Sequence, residues 1–248
     1  MRQLWQAWQA IVNRRPGLLT LTMCVIEVLY LLGRIQLQKM IPGSTSLDVL
    51  EISMDAWRCL FIAVYAAAID WDSLKKTPSR APRYIPLLVI LVLANWLTIS
   101  SMTHVPSEHA VLFAATSIFP AVREELFYRA ILQRYLITRV GVAFGLAIAS
   151  IAFAASHIGA SAETPLAYTM LFTSGLVVGI IYQRTKSLAL VIVLHTLADV
   201  WAAVAPDGSR FLSAIGVFSV VLVVFAGIIA WYWLDRRTGT ASLVPATQ

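Results

Sequence analysis

Charge is scarce in this chain, and the scarcity decides its class. Asp, Glu, Lys and Arg make up 13% of the 248 residues, against 59% hydrophobic residues, and mean hydropathy is +0.76. So apolar a chain cannot keep a soluble surface and reads as a polytopic membrane protein. Only two cysteines occur, Cys24 and Cys59, each inside an apolar segment, which excludes a disulfide framework and a thiolate zinc or redox motif. Internal repeats and low-complexity tracts are absent. No His-Glu-x-x-His run is present for a zinc metalloprotease, and no Gly-x-Ser-x-Gly elbow for a serine nucleophile. Neither repeated halves nor paired broken helices appear, which counts against a transporter. The formal net charge is +6, but the basic residues are spread between apolar segments, as in membrane loops, so nucleic acid is not an expected partner.

What is there is a series of about eight apolar segments near the ~20-residue length a bilayer core requires. They lie near 17–33, 50–69, 84–102, 107–138 (long and broken), 141–158, 166–183, 187–205 and 212–234. The expectation is an all-α transmembrane bundle forming one membrane-embedded domain over 1–248. Residues 1–16, with Trp5, Trp8 and Arg14-Arg15, form a cytoplasmic amphipathic lead-in, and 235–248 a polar tail. The first span is followed by Leu32-Gly33-Arg34 with no small-residue cleavage site, so it is read as retained. Inside segments then carry Arg2, Arg14, Arg15, Lys75, Lys76, Arg80, Arg83, Arg134, Arg139, Arg184, Lys186, Arg236 and Arg237, against Arg34, Lys39 and Arg210 outside, which places both termini in the cytoplasm. Within 107–138, Pro120 marks a break between a short surface helix and the span proper. Gly175-x-x-x-Gly179 reads as a close helix approach and nothing more.

The polar residues stand out against this background. Arg123-Glu124-Glu125 and Arg129 lie together in an apolar stretch, and a spacing of four lets Arg129 neutralise Glu125 while Glu124, about 100° away, is left free. The plain alternative is an interfacial helix with a solvated salt bridge. His157 ends Phe153-Ala-Ala-Ser-His157, and His195 opens His195-Thr-Leu-Ala-Asp199. A lone intramembrane histidine is first a packing residue, but His195 and Asp199 share a helix face. Counted at ~1.5 Å per residue, His157 lies roughly 25 Å and Asp199 roughly 18 Å above the inner ends of their spans, with His195 about one turn lower. Glu124, roughly one turn below the outer boundary, falls in the same layer. A carboxylate beside an imidazole activates water, and donors on another helix stabilise the oxyanion formed at an amide. Ser156 adjoins His157, but consecutive helical residues diverge, so a Ser-His dyad is not expected. Glu27 and Asn95 are read as interhelical hydrogen-bond partners.

In order and on separate spans, Glu124-Glu125-x-x-x-Arg129, Phe153-x-x-x-His157 and His195-x-x-x-Asp199 resemble the CPBP intramembrane proteases, also called the Abi or type II CAAX prenyl endopeptidase family. The resemblance covers mainly 120–200, the expected catalytic core. It implies a glutamate-dependent protease in which Glu124 activates water with His157, His195 and the residue at 199 bind the oxyanion, and Arg129 holds Glu125 to brace the site, with Phe153 supporting. It implies no organic cofactor, a membrane protein or lipidated peptide as substrate, and a multi-pass protein of the bacterial inner membrane with its site toward the outer face. Oligomeric state and substrate stay open: relatives are associated with prenylated-protein maturation, bacteriocin-related functions and surface-protein sorting. The family usually has Asn where this chain has Asp199; an ionised carboxylate cannot donate a hydrogen bond, so Asp199 is either protonated or orients His195. Two other readings remain. One is a non-catalytic immunity or sorting partner, which Asp199 favours. The other is a zinc hydrolase with Glu124, His157 and His195 as ligands.

Overall fold

The computed structural model describes residues 2–40, 45–75, 86, 89, 108–158 and 164–204. The expected spans at 84–102, with Asn95, and at 212–234, and the polar tail, lie outside the described residues, apart from 86 and 89. Every helix below belongs to one compact unit, Met1–Pro206. Helices are the only extended regular elements among the described residues, and they fall where six of the apolar segments were expected.

The lead-in forms α1, Arg2–Arg14. Its apolar face carries Trp8 and Val12; Val12 is fully buried, and Trp8 Nε1 donates to the Val64 carbonyl, 3.4 Å away on α3. Pro16 opens α2, Pro16–Met40, at a position where its missing N–H costs nothing. Along α2, Leu18, Leu21, Val25, Val28, Leu29 and Leu32 are each at least half exposed, the bare aliphatic stripe that a lipid-facing helix presents. Pro16–Leu37 and Ile118–Ala155 are long and apolar enough to cross a bilayer, and Leu188–Val200 is a shorter apolar helix. Helix α3, Thr45–Lys75, buries Ile62, Tyr65 and Ala66 and turns Asp55 and Arg58 toward the same side.

The short helix α4, Glu108–Thr116, ends at Ser117, whose buried hydroxyl donates back to the Ala114 carbonyl at 3.0 Å. Helix α5, Ile118–Glu125, starts there. The break is therefore at Ser117 and not at Pro120, which sits inside the first turn of α5, where backbone N–H groups lack intrahelical partners anyway. The chain then widens into a π-helix, Leu126–Gln133, every residue of which is buried. Helix α6, Arg134–Ala155, is broken at Gly141 (φ 82, ψ 171), a conformation that only glycine adopts readily. The chain folds back there: a Cβ on Gly145 would lie 2.7 Å from the Ile137 backbone nitrogen, and the Phe153 ring meets Tyr128 at 5.4 Å. The expected boundary between the fourth and fifth segments is this turn.

Thr164 caps α7, Pro165–Thr185, by accepting from Ala167 N, and Lys186 ends it in the left-handed region. Ser187 Oγ then accepts from Leu190 N to start α8, Leu188–Val204. The Gly175/Gly179 spacing does allow close approach: a Cβ on Gly175 would lie 3.3 Å from Ser150 Cα, and one on Gly179 would lie 2.8 Å from Gln133 Oε1. The Gly179 carbonyl accepts from Gln133 Nε2 at 3.0 Å, tying α7 to the π-helix.

These contacts predict opposite outcomes for two glycines. Gly145→Ala forces a methyl onto backbone and should destabilise the protein by about 1–3 kcal/mol. Gly33→Ala, with nothing within 4 Å of the new methyl, should be neutral or stabilise by up to about 1 kcal/mol through helix propensity. Unfolding of both variants in mixed micelles checks the contrast.

Candidate active site

A helix turn places Glu125 and Arg129 on one side of the chain, and both are fully buried. Arg129 Nε donates to Glu125 Oε2 at 2.9 Å, the expected pair. The other oxygen, Oε1, lies 2.8 Å from His195 Nδ1, contributed by α8 from 70 residues away. A carboxylate there makes Nδ1 the protonated nitrogen. Among the described residues no acceptor meets Arg129 Nη1 or Nη2; the Phe153 ring, its centroid 5.4 Å from Cζ, offers its face to the guanidinium instead.

His195 Nε2 points the other way, between two more acids. Glu124 Oε2 lies 3.8 Å from it and Asp199 Oδ1 3.6 Å. Both separations exceed a hydrogen bond, and a water or a substrate oxygen fits between such groups. Glu124 is not the free acid expected from spacing. Its Oε1 accepts from Arg123 Nη2 at 2.6 Å, so Arg129 neutralises one acid and Arg123 the other. Spacing could not show this, because adjacent helical residues diverge and other groups must draw Arg123 and Glu124 together.

His157 follows the end of α6, where its Nδ1 lies 2.9 Å from the Phe153 carbonyl. A carbonyl only accepts, so Nδ1 carries a proton. Glu124 lies within electrostatic reach of both imidazoles. Ser156 Oγ donates to the same carbonyl at 2.7 Å and lies 3.4 Å from His157 Nδ1. The two side chains are thus neighbours, because the helix has ended; what rules out a nucleophilic dyad is that the facing nitrogen is already protonated. Phe153 is the common support: its ring packs against His157 at 4.9 Å and His195 at 5.7 Å.

With all the motifs gathered at one place, the resemblance has a structural counterpart. Residues 106–201 match the family model of the Rce1-like type II CAAX prenyl endopeptidases. No curated protein and no solved structure matches the chain. The matched stretch includes Glu124, Glu125, Arg129, Phe153, His157, His195 and Asp199, the residues that carry the resemblance. It excludes α1, α2 and α3, of which α2 and α3 nevertheless reach the site: Arg123 Nη1 donates to Glu27 Oε2 at 3.2 Å, and Arg123 Nε makes an ionic contact with Asp55 Oδ1 at 3.0 Å that lacks hydrogen-bond alignment. Glu27 is the interhelical partner expected of it, but of arginines. Asp55 and Arg58 carry no spacing signal that links them to residues this far along the chain.

Among the described residues no group of three or more His, Cys, Asp or Glu side chains is placed to hold a metal ion.

The two glutamates should separate by stability. Glu125→Gln leaves Arg129 as an unpaired buried cation and should cost about 3–5 kcal/mol. Glu124→Gln leaves Arg123 with Glu27 and Asp55 and should stay within about 1 kcal/mol of wild type. Equal losses in a micellar unfolding assay would contradict these pairings.

Proposed function

We propose that residues 106–201 form the catalytic core of an intramembrane endopeptidase that cleaves a membrane-embedded or membrane-proximal peptide. The observation that carries this reading is the convergence on His195 of Glu125 and Glu124, from a helix some 70 residues earlier, and of Asp199, one turn further along its own helix, at 2.8, 3.8 and 3.6 Å. In the proposed reaction Glu124 Oε2 takes a proton from water as the water oxygen bonds to the scissile carbonyl carbon. The carbonyl oxygen becomes an oxyanion, met by His195 Nε2 and Asp199. His195 donates there with both ring nitrogens protonated, Nδ1 to Glu125 Oε1 and Nε2 to the oxyanion. The proton held by Glu124 then passes to the departing amine nitrogen as the C–N bond breaks, directly or through Nε2 of His157.

Glu125 already orients His195 through Nδ1, which favours the other role for Asp199, that of a carboxylic acid donating to the oxyanion. The site opens toward the outer face in this account, and a cysteine at the half-exposed Ile158, beside His157, should react with an impermeant thiol reagent in intact cells. Labelling only after the membrane is opened would reverse the orientation.

A comparison of membrane peptidomes tests the activity. Cells with Glu124→Gln should accumulate an intact precursor that wild-type cells cleave, with turnover down about 10²–10⁴-fold, the usual cost of losing a positioned base. Identical peptidomes would favour the non-catalytic immunity or sorting partner, the reading that Asp199 in place of Asn supports.

With the precursor in hand, Asp199→Asn should retain most cleavage and Asp199→Ala should lose it, because the amide donates as the acid does. Equal inactivity of the two variants would mean that a negative charge is required at 199.

A further inference from the structure

The motifs leave Arg123 without a role, yet it touches three acids. Its fork is fully assigned: Nη2 on Glu124 of its own helix, Nη1 on Glu27 of α2, and Nε beside Asp55 of α3. Each of these two acids is also held by Arg58, which donates from Nη1 to Asp55 Oδ1 at 3.0 Å and from Nη2 to Glu27 Oε2. Arg58 itself is fixed against the face of Tyr30, 3.3 Å from the ring centroid. Glu27 and Asp55 therefore each sit between two guanidiniums. That closed ring of charges fixes the plane of Arg123.

We propose that Arg123 is a positioning residue for Glu124, held by Glu27 and Asp55, so that the two helices outside the family match decide which oxygen of the carboxylate is free to act. Arg123 occupies Glu124 Oε1 at 2.6 Å, leaving Oε2 as the oxygen that faces His195 Nε2. Consecutive helical side chains point about 100° apart, so the grip depends on Glu27 and Asp55 turning Arg123. An ammonium offers one charge centre where the guanidinium offers a planar fork, so lysine does not reproduce the arrangement. The word "catalytic" for Glu124 rests on the protease reading; the grip itself does not.

The test uses the full-length protein in native membranes and two readouts. The double variant Arg123→Gln with Asp55→Asn removes the grip and one opposing acid together, leaving the Glu27–Arg58 pair intact. Dicyclohexylcarbodiimide, a membrane-soluble reagent for carboxyl groups not tied up in ion pairs, is applied and its site read by peptide mass spectrometry. Glu124 should be unlabelled in wild type and labelled in the double variant, with Glu125 unlabelled in both. Cleavage of the precursor found with Glu124→Gln should fall at least about tenfold through kcat with KM unchanged, as for loss of an interaction made at the reacting group. Either an unlabelled Glu124 or wild-type cleavage in a folded double variant overturns the proposal. If the double variant fails to accumulate, Arg123→Lys decides: the preserved charge should keep the fold while cleavage still drops at least about tenfold, and wild-type cleavage by this variant overturns the proposal. Absence of any precursor would sink the protease reading alone, since the labelling result still stands or falls by itself.

Discussion

A carboxylate cut off from water must be matched on both oxygens, and Glu125 is matched by Arg129 on one and His195 on the other. Desolvating an ion costs several kcal/mol even after relaxation, and the cost is recovered only with good geometry on every lone pair. That constraint organises the rest of the site. It brings α8 against the end of α5 and gives His195 one orientation, with Nε2 turned toward Glu124 and Asp199. The apolar shell makes the arrangement unforgiving, because an unpaired charge there finds no solvent to replace its partner.

The same logic repeats one residue earlier. Glu124 meets Arg123, and Arg123 meets Glu27 and Asp55, which Arg58 also binds. Acid and base alternate through α2, α3 and α5, so the helices outside the family match are connected to the site by charge as well as by packing. The backbone supports this with two devices. A wholly buried π-helix carries Arg129 and Gln133, a type of distortion that concentrates at functional sites. Gly179 allows α7 to close on it at Gln133, while Gly145 and Gly175 allow close approach along α6.

Legibility in the sequence followed the range of each interaction. Apolar length located the described helices, and the boundary expected between the fourth and fifth apolar segments fell at the reversal at Gly141. Pairs four residues apart, Glu125 with Arg129 and His195 with Asp199, were readable because a helix turn joins them. The π-helix was not readable, since a segment buried on all sides shows no periodicity. Nor was the grip of Arg123 on Glu124, because a free acid is what spacing gives for adjacent side chains. Asp55 and Arg58 drew no reading from the sequence until the fold set them in one ion network with a residue more than sixty positions away. Ser156 shows the reverse case: the helical rule separated it from His157, and the early end of α6 brought the two together.

The central claim is that Glu125 and His195 form one energetic unit. A double-mutant cycle of Glu125→Gln and His195→Gln, read by reversible unfolding in mixed micelles, measures it most directly. The account predicts a coupling of at least about 1 kcal/mol, as residues in one hydrogen-bonded ion network show. Additive losses within about 0.3 kcal/mol, the behaviour of distant sites, would contradict it.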